Sequence, residues 1–137
     1  MGVKFVCNNV KYDLAEYIRS VNHGQLAHCL YECSGAAPVV KNVTDFVENT
    51  GRIVFVGWNH HTLEMDMDQF IRKEVDVYGS RNASNCFPEA IELVSRKLVD
   101  AEKFITTEVP LEETLDILQK MVEKPADYLK VIIRIHD

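Results

Sequence analysis

Short apolar runs that read as strands alternate with segments of helical period along most of this chain. That alternation constrains the fold more than any other feature. Val3, Phe5 and Val6 mark a β-prone run over Gly2–Cys7. Leu14, Ile18 and Val21 then recur at steps of four and three, and Gly24 follows as a helix stop. His28–Cys33 reads as a second strand. Pro38 fits the first turn of a helix, where its missing amide donor costs nothing. Val39, Val40, Val43, Phe46 and Val47 form the apolar stripe of that helix, and Gly51 closes it at a left-handed position. Ile53–Val56 is a continuous apolar run of the kind buried on both faces of a sheet. A helical piece around Met65–Arg72 leads to a strand at Val75–Tyr78. Phe87, Ala90, Ile91, Val94 and Leu98 line one face of the helix that Pro88 begins. The resulting β-α-β-α-β-α-β-α order predicts an α/β fold, a parallel sheet with helices on its faces.

The last third changes character. Phe104–Val109 is a strand candidate ended by Pro110. Leu111, Leu115, Leu118 and Val122 mark an amphipathic helix with acids early and Lys120 and Lys124 late, as the helix dipole favours. Tyr128–Ile135 closes the chain as a strand.

Fifteen basic against twenty-one acidic residues leave a net charge of −6 over 137 residues. No basic surplus exists to release counterions from a nucleic acid, so that class of partner is excluded as the main one. The longest strongly apolar stretch, Ile53–Trp58, is far shorter than the ~20 residues that cross a bilayer. The start, Met1-Gly2-Val3-Lys4-Phe5, lacks the long apolar core of a signal peptide. These features predict a soluble, cytoplasmic protein without a membrane partner. In that compartment Cys7, Cys29, Cys33 and Cys86 are expected as reduced, mostly buried thiols.

Chemistry is sparse. No G-x-G-x-x-G turn, Walker loop or G-x-S-x-G elbow occurs. Cys29 and Cys33 share a strand face and His60 and His61 share a loop, but no close knuckle pair exists, so no metal site and no catalytic residue is assigned. Gly35, Gly57 and Gly79 carry more information, because each follows the carboxyl end of a predicted strand. Ligands of open α/β sheets bind along that edge, and a residue without a side chain lets a flat ring or pyrophosphate approach. The same glycines also suit plain strand-end turns. Glu32, at one strand end, fits either a hydrogen-bond acceptor in the crevice or a satisfied structural carboxylate. Ser34, just before a helix, fits a capping role.

Glu32-Cys33-Ser34-Gly35-Ala36 and Gly51-Arg52-Ile53-Val54-Phe55-Val56-Gly57 together resemble the second half of a medium-chain, zinc-type alcohol dehydrogenase, nearest to the polyol (sorbitol) and sugar-acid dehydrogenases. The likeness continues in order through Arg72–Ser80, Phe87-Pro88-Glu89-Ala90-Ile91, Phe104-Ile105-Thr106-Thr107, Val109–Glu113 and Leu129–Ile133. It implies the later strands of a Rossmann-type NAD(P)-binding domain over residues 1–102. Residues 103–137 would be a C-terminal helix and strands returning to the catalytic domain.

The resemblance further implies a C-terminal fragment. Intact members are over twice as long and carry zinc ligands, a phosphate-binding turn and an acidic ribose-binding residue that this sequence does not contain. Activity would be hydride transfer between a polyol or sugar acid and NAD or NADP in the full-length parent. Zinc would belong to that parent only, and this chain alone would be inactive. Cys33, Ser34 and Gly35 would lie on the adenosine side of the cofactor. Val56, Gly57 and Trp58 would lie near the nicotinamide. Ser80, Arg81 and Asn82 would form the loop after the last strand, with Lys130 near the pyrophosphate. The strand order 3-2-1-4-5-6 would leave Gly2–Cys7 apart from the other three strands. It would also expose the Cys29–Cys33 strand as an edge. Homo-oligomers through that edge, or through Val75–Tyr78, are expected. A non-catalytic interaction module, or half of a split dehydrogenase, is the alternative.

Overall fold

Three parallel strands carry the first part of the chain in the computed structural model, which describes residues 2–58, 62–81 and 84–135. Strand β1 (Ala27–Glu32) pairs with β2 (Val47–Phe55), and β2 pairs with β3 (Asp76–Gly79). The neighbours Leu30–Ile53–Val77 and Tyr31–Val54–Tyr78 stand in register across the sheet. The expected order of the last three Rossmann strands is therefore present, with β1 and β3 as outer strands. The chain divides into two compact units, residues 2–84 and 85–135 among those described.

In the first unit, helix α1 (Leu14–Val21) starts where the Asp13 carboxylate accepts the Glu16 amide at 2.8 Å. It ends at Val21 with Asn22 as its C-cap, and the turn that follows passes through Gly24, whose φ of +85° few other residues adopt cheaply. Gly2–Cys7 belongs to no ladder, contrary to its β-prone composition, and Val3 and Val6 are exposed. A β-prone run gains little without a neighbouring strand to bond.

The helix expected from Pro38 to Gly51 is also shorter than its stripe suggests. Helix α2 (Ala37–Lys41) gives way to a 3₁₀ turn at Val43–Asp45, and β2 begins at Val47. Thr50, not Gly51, takes the left-handed conformation, at φ 59°. Gly51 lies inside β2, where a Cβ would come within 2.6 Å of Val47 Cγ2.

Val43 and Val47 still reach the core, joining Ile53 and Phe70, with Leu30, Phe55 and Val75 packed around them. Helix α3 (Met67–Lys73) brings in Phe70 and ends with Glu74 in a left-handed cap. Lys73 Nζ, in its last turn, donates to the carbonyls of Thr44 and Val47 at 2.5 and 3.1 Å, fixing α3 to the start of β2.

In the second unit, helix α4 (Phe87–Ser95) precedes strand β4 (Ile105–Pro110). Helix α5 (Thr114–Glu123) crosses over to the parallel strand β5 (Lys130–Arg134). Val109 and Ile117 are its buried apolar residues. The stripes predicted for both helices point elsewhere. Phe87 is 70% and Ile91 66% exposed on α4, and Leu115 is 79% and Val122 82% exposed on α5. The amphipathic faces form as read, but little of either is buried. The thiols depart from expectation too: Cys29, Cys33 and Cys86 are exposed and Cys7 is half-buried.

Candidate functional site

Because β1, β2 and β3 run parallel, their carboxyl ends share one edge of the sheet. Three short loops leave that edge: Cys33-Ser34-Gly35, Val56-Gly57-Trp58 and Ser80-Arg81. Glu32, at 3% exposure, organises the first two. Its carboxylate accepts the Ser34 amide at 2.9 Å, the Gly35 amide at 3.0 Å from either oxygen, and the Ser34 hydroxyl. Its main-chain carbonyl accepts the amides of Val56 and Gly57, both at 2.8 Å. Every acceptor of this buried group is thus used by the protein itself, and Glu32 is the satisfied structural carboxylate. The Ser34 hydroxyl also accepts the Ala36 amide at 3.1 Å, so it braces the approach to α2 and not the helix cap proper.

Gly35 and Gly57 are glycines on each other's account. A Cβ on Gly57 would stand 2.2 Å from the Gly35 nitrogen, and one on Gly35 would stand 2.9 Å from the Trp58 carbonyl oxygen. Gly35 also sits at φ +63°. Two strand-end loops therefore touch backbone to backbone, which explains both residues without any ligand. Gly79 differs, since nothing lies within 4 Å of its would-be Cβ.

The third loop is tied in by the Ser80 amide, which donates to the Phe55 carbonyl at 2.8 Å. Beyond it, the Arg81 guanidinium lies over the Trp58 indole, 4.0 Å from the ring centroid. Eight of the predicted cofactor residues (33–35, 56–58, 80 and 81) are consequently gathered at one edge. Asn82 lies outside the described residues. Lys130 begins β5 in the other unit, where its amide reaches Thr106 Oγ1 at 3.3 Å. Sequence reading offered Glu32 as a satisfied structural carboxylate, which it is, but missed the Trp58–Arg81 stack. The available signal was that Trp58 and Arg81 each follow a strand-end glycine by one or two positions.

Around the would-be Cβ of Gly79 the edge is uncrowded, and the carboxyl edge of a parallel sheet is where such folds take ligands. Zinc is a different matter: among the described residues no three His, Cys, Asp or Glu are grouped to hold a metal ion, and His60 and His61 fall outside that set.

Comparison with known proteins decides the family. The zinc-binding dehydrogenase family matches residues 1–96. This chain belongs to it. D-arabitol-phosphate dehydrogenase of Enterococcus avium is 26% identical over 97% of the chain and 38% of its own length. The 2-dehydro-3-deoxy-L-galactonate 5-dehydrogenase of Pseudoalteromonas atlantica is 34% identical over 81% of the chain and 33% of its own length. An Escherichia coli oxidoreductase/dehydrogenase of unknown specificity has the same fold, with a TM-score of 0.90 and 24% identity over 99% of the chain and 39% of its own. A Sinorhizobium meliloti protein solved with NADP bound superposes with a TM-score of 0.82 at 22% identity, covering 98% of the chain and 40% of its own. The chain thus spans under two-fifths of the length of the curated relatives it matches. No helix among the described residues is long and apolar enough to cross a membrane.

Proposed function

We propose that this chain provides part of the cofactor crevice of an NAD(P)-dependent polyol or sugar-acid dehydrogenase. The observation that carries this reading is the convergence of residues 33–35, 56–58 and 80–81 on one sheet edge in a member of the zinc-binding dehydrogenase family. Cys33, Ser34 and Gly35 serve the adenosine side, and Val56, Gly57 and Trp58 the nicotinamide. Ser80 and Arg81 flank them. A bound nicotinamide supplies hydride acceptance or donation. This chain's own residues hold and orient that ring. Residues 1–102 belong to the cofactor domain and 103–137 to the catalytic domain of the whole enzyme.

The metal ligands and the phosphate-gripping turn come from outside these 137 residues, so the chain does not turn over substrate by itself. Without a helix N-terminus beneath the pyrophosphate, cofactor binding is weak. Titrating NADH while following Trp58 emission tests this, since Trp58 is the sole tryptophan. Saturable energy transfer with a Kd above roughly 100 μM fits the partial crevice. Turnover of NAD⁺ with polyols by the isolated chain would defeat the reading.

A second reading, assembly with a further polypeptide, is favoured by the uncovered apolar faces of α4 and α5 and by the two outer strands β1 and β3. Co-expression with a polypeptide bearing a G-x-G-x-x-G turn and zinc ligands should then yield a stable, active complex.

A further inference from the structure

Of the strands that the sequence predicts, Gly2–Cys7 alone joins no ladder among the described residues. It also makes no main-chain hydrogen bond with any of them. Val3 is 72%, Val6 79% and Phe5 49% exposed, and the Lys4 ammonium stands 5.1 Å from the Phe5 ring centroid. The segment leads into a tight turn, where the Lys11 and Tyr12 amides donate to the Asn8 carbonyl at 3.0 and 3.1 Å, and then into α1. This arm therefore keeps both the apolar side chains and the main-chain groups of a strand available.

The same unit presents an open strand edge. β1 pairs with β2 on one side and with no described strand on the other. The Glu32 carbonyl accepts the Val56 and Gly57 amides and so faces β2. Main-chain groups of successive strand residues point to opposite sides, so those of Cys29 and Tyr31 face away from β2, out of the sheet edge. Tyr31 is 66% exposed, on the sheet face opposite Leu30 and Ile53. A bare edge of this kind is a template for a further strand.

We propose that Gly2–Cys7 of one chain adds as an outer strand to β1 of a second copy, and that the exchange is reciprocal. The occupant follows from what the chain itself offers, since the arm is its one unladdered strand-forming segment and β1 is an edge of matching length, six residues. Pairing gives the arm the ladder it lacks and closes the β1 edge. Reciprocity forms two such ladders in each dimer and ends the assembly there, where one-way addition would leave an edge open to a third chain. Side-chain alternation fits as well. Val3, Phe5 and Cys7 fall on one side of the added strand, and Lys4 and Val6 on the other. With Phe5 on the open face of the sheet it neighbours Tyr31, an aromatic cross-strand pair.

Amide hydrogen exchange of the unmodified chain, run at about 10 μM and about 1 mM, reads both halves of the pairing. A dimer with a Kd of roughly 100 μM leaves about four-fifths of the chains paired at the higher concentration and about one in seven at the lower. The expected result is exchange about fourfold slower at the higher concentration for alternate amides of Val3–Cys7 and, together with them, for Cys29 and Tyr31. F5P removes one amide and one apolar contact from an arm that bonds nothing in its own chain. It should leave the urea midpoint at low concentration unchanged and abolish the concentration dependence in both segments. Slowing that is the same at both concentrations would overturn the proposal, because the arm would then be folded back on its own β1. Slowing confined to Asp76–Gly79 or to α4 and α5 would overturn it too. So would a chain that stays monomeric at about 1 mM in sedimentation equilibrium, or an F5P variant that keeps the full effect. The exchange map of the unmodified chain decides the matter even if F5P fails to fold.

Discussion

Replacing Gly57 with alanine places a carbon 2.2 Å from the Gly35 nitrogen, 2.8 Å from the Cys33 carbonyl carbon and 2.8 Å from Glu32 Oε2. None of these atoms belongs to a flexible side-chain tip. Two are main chain, and the third is a carboxylate fixed by three donors. Opening the closest contact to an ordinary separation moves one strand end by about 1.2 Å, an overpacking that typically costs about 1–3 kcal/mol. The movement also pulls Gly35 from the buried Glu32 carboxylate, whose lost donor adds about 1–3 kcal/mol. The two effects share one displacement, so G57A should destabilise the first unit by about 2–4 kcal/mol. G79A is the matched control at the same sheet edge. Its added methyl meets nothing within 4 Å and its φ is ordinary, so its effect should stay within about 0.5 kcal/mol. Urea unfolding followed by Trp58 fluorescence reads the first unit specifically. G57A should lower the midpoint by about 1–2 M at unchanged slope. Equal midpoints for the two variants would refute the backbone-contact explanation and return both glycines to the ligand.

Ile53→Ala empties a fully buried position among Val43, Val47 and Phe70 and should cost about 3–4 kcal/mol in the same urea assay, whereas L115A on the exposed face of α5 should change stability by less than about 0.5 kcal/mol. Thiol titration of the native chain should show Cys29, Cys33 and Cys86 reacting rapidly and Cys7 lagging, and a slow reaction of all four would contradict their exposure. Light scattering should detect self-association that V77K, a charge placed on the outer strand β3, reduces at least tenfold in affinity. A wild-type chain that stays monomeric at high concentration would remove edge pairing from the proposal.

Much of the fold was legible in the sequence because its signals are local. The unbroken Ile53–Val56 run read as a strand buried on both faces; it is a strand, with Ile53 wholly inaccessible, but Val54 and Phe55 are half-buried and Val56 is exposed. Strand-end glycines at 35, 57 and 79 located the shared edge before any coordinates. The same local signals misled where a neighbour had to agree. Gly2–Cys7 has strand composition but no strand beside it, and the stripe from Val39 to Val47 splits into a helix, a turn and a strand. Lys73 explains part of that split, since it bonds the carbonyls of Thr44 and Val47 from an element twenty-six or more residues away.

From Leu14 onward the sequence by itself determined most of the order of elements, the parallel pairing and the family, because periodicity, turn residues and motif succession are properties of the chain alone. Tertiary structure alone decided which groups the candidate site contains. Glu32 became a bracket because folding buried it where the amides of Ser34 and Gly35 converge. Arg81 came to rest on Trp58 because parallel strands deliver loops twenty-three residues apart to the same edge. Such contacts depend on register and distance in space, and neither is written in the spacing of residues along the chain.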